Sequence, residues 1–214
     1  MNSQGDGIDR LIFQRRSIRR YKNDALPETW IRDILACAHQ GPSPSNCQPV
    51  RFVRINSQTC RDNLCQALTD GHNRLLAEHR AAGAPARLRN WINAYRRYSE
   101  FMFTAPVLLA VGLDTQIKGF AQRLGETGVK LPERLSNSEM DITLGLALQG
   151  LLLKAQSLGV GSCILTAPLL FMGNVGDLLG LAQVAVKCFV TLGMADEEPK
   201  APERQPLDNV FKVV

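Results

Sequence analysis

The stretch M-D-I-T-L-G-L-A-L-Q-G-L-L-L-K-A-Q-S-L-G-V-G-S-C, residues 140–163, decides the fold. With the residues just before it, it predicts a helix over Ser138–Leu158. Leu144, Leu148, Leu151, Leu152 and Ala155 mark one side, and Ile142, Leu146, Gln149, Leu153 and Gln156 another. A helix that is apolar nearly all round belongs at the centre of a core or at a subunit interface. Gly159-Val160-Gly161-Ser162 ends it, and C-I-L-T at 163–166 begins a strand-like piece. Its most apolar part, 142–153, contains Gln149 and two glycines and is too short to span a bilayer.

Outward from this helix, helical and strand periods alternate. Residues 8–15 predict a short N-terminal helix with Ile8, Leu11 and Ile12 on one face. L-P-E-T-W-I-R-D-I-L-A-C-A-H-Q at 26–40 has a proline near its first turn, helical spacing of Trp30, Ile31, Ile34, Leu35 and Ala38, and a Gly41-Pro42 stop. V-R-F-V-R-I at 50–55 alternates like a strand, and a helix follows over 57–69. Residues 72–101 read as helix with a breaker at Gly83-Ala84-Pro85. A-P-V-L-L-A-V-G-L at 105–113 predicts a strand buried on both faces. Residues 115–136, with three glycines and one proline, read as a mobile connection or lid. A short helix at about 170–180 and a strand at 185–193 complete the pattern. From 196 onward the tail is charged and proline-rich, and its last apolar patch, Val210–Val214, suits packing on a second subunit. A chain of 214 residues with this pattern predicts one domain.

Composition removes several function classes. Hydrophobic residues make up 45% and charged residues 21%, which excludes a disordered or fibrous chain. A net charge of +5 favours an anionic partner without naming it. Aromatic residues are only 6% and do not interleave with the arginines at 74–97, so a nucleic-acid partner is not expected and that cluster reads as a solvated helix face. Six cysteines form no C-x-x-C pair, and the three histidines complete no zinc spacing, so no metal is expected. With a polar start at Met1–Asp9 that lacks an apolar run, the thiols suit a cytoplasmic protein, with no membrane partner.

Two segments carry candidate binding chemistry. In R-R-S-I-R-R-Y at 15–21, an extended backbone puts Arg15, Ser17 and Arg19 on one edge and Arg16, Ile18 and Arg20 on the other. Guanidinium forks beside a hydroxyl are what a phosphate dianion needs. The same residues also suit a basic helix end that offsets the helix dipole. The loop G-P-S-P-S-N-C-Q-P at 41–49 holds Ser43, Ser45, Asn46 and Gln48 on a backbone stiffened by Pro42, Pro44 and Pro49. Such a loop suits a ring with alternating donors and acceptors, and equally an ordinary helix-to-strand connection.

Taken in order, R-R-S-x-R, then P-S-x-x-N-x-Q-P before a strand, then the 140–163 helix with its Gly-rich turn, then A-P-E-R-Q-P-L-D at 201–208, the chain resembles the nitroreductase-like flavoprotein family. The resemblance implies an α+β, nitroreductase-like three-layer sandwich with a central mixed sheet flanked by helices. It also implies an intertwined homodimer with FMN at the interface. By position, Arg15, Arg16, Ser17 and Arg19 would hold the FMN phosphate and ribityl chain, and Arg204 would return to the phosphate. Ser43, Pro44, Ser45, Asn46 and Gln48 would line the ring, from the partner subunit. Leu165, Thr166 and Ala167 would lie beside its reactive edge. An insert at about 70–137 would shape the substrate pocket. The sequence departs from the family pattern at three places. Val50 stands where a tryptophan is frequent, Pro202 where a lysine is common (Lys200 being displaced), and Thr166-Ala167 where Gly or Glu-Gly is usual.

No Ser-His-Asp, Cys-His or paired-carboxylate constellation emerges, so no catalytic side chain is expected. That fits a protein whose flavin carries the redox chemistry. In family terms NAD(P)H reduces FMN, leaves, and a nitroaromatic, quinone or other electron-poor acceptor is reduced in its place, a ping-pong cycle. The alternatives are a flavin carrier or sensor without turnover, and a divergent family activity such as reductive dehalogenation or flavin fragmentation.

Overall fold

Strand β2 (Val107–Asp114) sends alternate side chains into two separate cores, as the period of two in a strand requires. Val107, Leu109, Val111 and Leu113 enter one core, and Leu108 and Ala110 the other. The computed structural model describes residues 3–130 and 138–214. Strands β1 (Val50–Arg54), β3 (Val160–Leu165) and β4 (Val184–Met194) join β2 in one four-stranded sheet, ordered β1-β2-β4-β3. All three pairings are antiparallel, with Val53 opposite Ala110, Leu109 opposite Val190 and Ser162 opposite Leu192. Among the described residues the expected mixed character is confined to one isolated parallel bridge, Ser17 to Ser162.

The first face of the sheet is covered by α6 (Ser138–Ser157), against which α2 (Glu28–His39) and α1 (Ser3–Gln14) pack. Met140, Leu144, Ala147, Leu148, Leu151, Leu152 and Ala155 are its buried side. The other side is not: Ile142 is 62% and Leu146 44% exposed. Two sides marked by spacing are thus two environments, one core and one open. Gly159 closes the helix at φ 71°, the left-handed region where a Cβ is costly. Strand β3 starts at Val160 rather than Cys163, so most of the Gly-rich turn is already strand.

Helices α3 (Gln58–Ala81), α4 (Ala86–Glu100), α7 (Leu169–Met172) and α8 (Val175–Leu178) form the layer on the second face. The helix expected at 57–69 runs on without a break to Ala81, and the single helix expected near 170–180 is two short ones. Gly71, near the anticipated break, is instead a contact residue. A Cβ there would stand 1.8 Å from the Phe171 carbonyl oxygen. Glycine in a helix costs about 1 kcal/mol, less than the roughly 1–3 kcal/mol of an overpacked contact, so α3 keeps it. The connection at 115–136 is not all loop, since α5 (Phe120–Glu126) lies within it. The rest of that segment from 131 to 136 falls outside the described residues. The tail after Met194 is extended, apart from a turn at Leu207–Asn209, and Leu207, Val210, Phe211, Val213 and Val214 are all exposed.

Candidate functional site

The segment after α1 runs along β3 and β4 as an added edge. Ile18 N–H donates to the Ser162 carbonyl (3.0 Å), Lys22 N–H to Met194 (2.9 Å), and Asp196 N–H to Arg20 (3.0 Å). Extended backbone alternates its side chains, so Ile18 is buried while Arg15, Ser17 and Arg19 face a cavity of about 570 Å³. Arg204, Lys200 and Pro202 of the tail line the same cavity. The displaced lysine noted in the sequence therefore reaches the place where the arginines meet. Arg15, Arg19 and Arg204 have no ion pair or side-chain hydrogen bond among the described residues, so three guanidinium charges face one space uncompensated. That is the electrostatic setting an anion is drawn into.

Arg16 and Arg20 play different parts. Arg16 also borders the cavity, but its Nη1 donates to the carbonyls of Phe13 (2.7 Å) and Arg15 (2.8 Å), closing the end of α1. Arg16 thus serves the helix end while it borders the cavity. Arg20 turns away, its Nη2 donating to the Asp196 carbonyl at 2.7 Å.

Two side chains strap the segment down. The Tyr21 hydroxyl meets the Ile18 carbonyl and Thr191 Oγ1 (2.8 Å), and burial pushes its pKa well above the ordinary phenol range, so it stays neutral. The Glu197 carboxylate accepts from the backbone N–H groups of Arg19 and Arg20.

A second cavity, of about 390 Å³, adjoins the first through Arg19, which lines both. Leu165, Thr166 and Ala167 form its floor at the end of β3, with Cys163 and Ile164, and Tyr95 and Tyr98 of α4 form a wall with Phe101, the residue just after that helix. Burial raises the Cys163 pKa, while Arg19, a hydrogen bond with Ser17 and Arg15 act in the opposite direction. The thiol is thus a neutral, buried part of the cavity floor. The α4 aromatics were missed in the sequence because they sit among arginines read as a solvated face. Their signal was the spacing of Tyr95, Tyr98 and Phe101 at i, i+3, i+6.

The loop with Ser43, Pro44, Ser45, Asn46 and Gln48 is not brought to either cavity. It precedes β1, at the sheet edge opposite β3, and Cys47 packs into the α2–α6 core on the first face. Three strand spacings, about 14 Å, separate the two edges. Within the loop, Ser45, Asn46 and Gln48 all have positive φ (49°, 54° and 51°). The Ser43 hydroxyl accepts from Gln48 N–H at 3.0 Å, and Asn46 N–H donates to the Ser43 carbonyl at 3.0 Å. Three non-glycine residues in that region cost of order 1–3 kcal/mol each, strain that structures keep where recognition needs it. Among the described residues no group of three His, Cys, Asp or Glu side chains could hold a metal ion, and no helix is long and apolar enough to cross a membrane.

Fold and cavities define a class first: a three-layer α+β sandwich with a cationic recess on one edge of its sheet. Comparison with known proteins takes the assignment further. The chain belongs to the Nitroreductase family, whose model matches residues 12–194. It is 31% identical to a 5,6-dimethylbenzimidazole synthase from Rhodospirillum rubrum, over 94% of this chain and 88% of that protein. Among solved structures it is similar in fold to a BluB-like flavoprotein from Clostridium difficile (TM-score 0.78, 22% identity, 100% and 99% of the two chains covered). The FMN-dependent nitroreductase NfnB from Mycobacterium smegmatis, solved with NADPH, shares the fold as well (TM-score 0.67, 20% identity, 99% and 98% covered).

Proposed function

We propose that this protein is an FMN-dependent oxidoreductase that takes electrons from NAD(P)H and delivers them to a small electron-poor acceptor such as a nitroaromatic or quinone. The carrying observation is the convergence of Arg15, Arg16, Ser17, Arg19 and Arg204 on one cavity that continues, through Arg19, into the cavity floored by Leu165, Thr166 and Ala167. Both volumes lie within the range of small-molecule sites. The donor set suits the group: unpaired guanidiniums and a hydroxyl for a phosphate dianion, apolar and aromatic walls for a flat ring. Bound FMN supplies the two-electron chemistry between donor and acceptor. The chain's own work is to bind, to orient and to exclude water. Arg15, Arg19 and Arg204 neutralise the phosphate, Ser17 donates to it, and Ile18 and Tyr21 hold the segment rigid. Tyr95 and Tyr98 of α4, with Phe101 just after it, close the ring cavity from within the insert at about 70–137 that we assign to the substrate pocket of a single domain.

A homodimer with shared sites is part of this proposal, and the separation of its ring-lining segments supports it. Ser43, Pro44, Ser45, Asn46 and Gln48 lie on the other face and edge of the sheet from Leu165–Ala167 within one chain. A second subunit is the economical way to bring that strained loop over the ring. The exposed Ile142 and Leu146 of α6 and the apolar end of the tail offer the surface. A cytoplasmic location is proposed with it.

One further reading is favoured by a specific observation, the 31% identity to a 5,6-dimethylbenzimidazole synthase, together with Thr166-Ala167 in place of the glycine-containing pair. In that reading the bound flavin would itself be fragmented rather than conserved.

The deciding experiment is anaerobic addition of NADPH or NADH to the yellow holoprotein, followed by air or by a panel of acceptors. Bleaching, then return of the yellow colour with stoichiometric reduction of an acceptor and with flavin conserved, is the expected result. A protein that stays colourless after incubation with FMN removes the proposal. Yellow protein that neither nucleotide bleaches is a carrier or sensor, and loss of flavin with appearance of 5,6-dimethylbenzimidazole in air establishes the second reading.

A further inference from the structure

Helix α4 presents to solvent a stripe that holds nothing together. Trp91, Tyr95 and Tyr98 are 58%, 48% and 66% exposed. With Arg87 they follow the i, i+4, i+8, i+11 spacing that keeps side chains on one helix face. The helix packs through its other side, where Ser99 is buried and Ile92 meets the second core.

The stripe has a direction. At one end Tyr95 and Tyr98 line the cavity of Leu165, Thr166 and Ala167. From Tyr98, Trp91 lies roughly 10 Å and Arg87 roughly 17 Å farther along the axis, at 1.5 Å per residue. Arg87 and Arg97, the latter beside Tyr98 on the flank, have no ion pair or hydrogen bond among the described residues. Arg96, on the packed side, is paired with Glu100. Glu100 is the only acid of α4, so the exposed face is cationic and aromatic without a carboxylate.

We infer that this face of α4 docks the dinucleotide electron donor and selects NADPH over NADH. The inference rests on the proposed flavin site in the adjoining cavity. The nicotinamide end enters past Tyr95 and Tyr98, the pyrophosphate runs beside Arg97, the adenine stacks on Trp91, and Arg87 takes the 2′-phosphate. Order and charge both suit that ligand: two flat rings joined by an anionic bridge, with a further phosphate at the far end. A guanidinium fork matches phosphate geometry bidentately. An acid that would accept from a ribose 2′-hydroxyl and repel a 2′-phosphate is absent from α4.

The test uses the holoprotein and two probes, 2′,5′-ADP and 5′-AMP, with tryptophan fluorescence as the readout. Trp30, half-buried beside the α2 core, is the reference and Trp91 the reporter. We expect 2′,5′-ADP to quench and to bind at least tenfold more tightly than 5′-AMP, the scale of one charge-assisted contact. Arg87→Ala should bring the two probes to parity, and Trp91→Phe should abolish the quench, with flavin content and molar mass unchanged. NADPH bleaching of Arg87→Ala should show at least a tenfold higher KM, with NADH unaffected. Equal binding of both probes to the wild type, an unaltered Arg87→Ala, or a change of oligomeric mass in Trp91→Phe overturns the inference. If the wild type is bleached while these variants behave as wild type, the reductase proposal stands and the docking falls. If neither nucleotide bleaches the wild type, both fall.

Discussion

The carboxylate of Glu197 accepts the backbone N–H of Arg19 and, at 3.1 Å, that of Arg20, so a tail residue fixes the backbone from which the cavity arginines project. Glu197→Ala should therefore weaken FMN retention by about tenfold, consistent with losing hydrogen bonds to a charged acceptor. Glu197→Gln keeps an acceptor oxygen and removes a negative charge near the clamp, so it should bind FMN as well as or better than wild type. Flavin content after dialysis measures both, and equal losses would mean that Glu197 acts through its charge and not through the strap.

Arg204 reaches the cavity from a tail that is otherwise exposed, and its guanidinium has no competing partner among the described residues. Arg204→Ala should reduce FMN affinity by about ten- to a hundredfold, the range of one charge-assisted phosphate contact. The melting temperature of the apoprotein should be unchanged. Unchanged flavin affinity would remove Arg204 from the phosphate site.

The strain at Gln48 gives a test in which stability and function diverge. Gln48→Gly relieves a left-handed side-chain conformation worth about 1 kcal/mol, so thermal stability should hold or rise slightly. If the loop recognises the ring, flavin affinity should fall in the same variant. A variant with both quantities unchanged would make the loop a plain connection.

Gly71→Ala forces a methyl group to within 1.8 Å of the Phe171 carbonyl oxygen, a backbone atom with little room to move. A destabilisation of about 1–3 kcal/mol is expected, or a drop of several degrees in Tm for a chain this size. Calorimetry of the apoprotein measures it. A neutral result would mean that α3 and α7 slide apart easily.

Burial pushes the Cys188 thiol from an ordinary value of 9.0 up to about 12. A raised folded pKa means that the unfolded chain loses its proton first. Its contribution is fully present below about pH 9 and is lost as pH climbs toward 12. Stability should then fall by about 1 kcal/mol per pH unit from this group in that window. Tyr21, also raised by burial, adds to the same alkaline loss. Cys188→Ala, compared with wild type by denaturant titration at pH 8 and pH 10, should show a smaller drop.

What the sequence determined by itself is local. Period and punctuation placed the central helix, the strand expected at 105–113 (observed at Val107–Asp114) and the extended Arg15–Tyr21 segment, because a helix or strand writes its own repeat into consecutive residues. The alternation that sets Arg15, Ser17 and Arg19 on one edge was readable too, whereas α6, apolar nearly all round in sequence, was divided into a buried and an open side only by packing. Where the decisive neighbour is distant, the reading failed: the helix expected to end near 69 runs on through Gly71, which lies against Phe171, a hundred residues away.

Only the tertiary structure decided what meets what. Lys200 and Arg204 reach the cavity because the chain after β4 runs back beside residues 17–22. Tyr95 and Tyr98 join Leu165–Ala167 because α4 packs on the second face of the sheet. The Ser43–Gln48 loop is parted from them because β1 and β3 are opposite edges. Sheet order and helix placement come from burying two cores at once, a property of the whole chain that no window of residues carries. So the basic edge of Arg15, Ser17 and Arg19 was legible in seven consecutive letters, while the parting of the Ser43–Gln48 loop from Leu165–Ala167 was decided by packing alone.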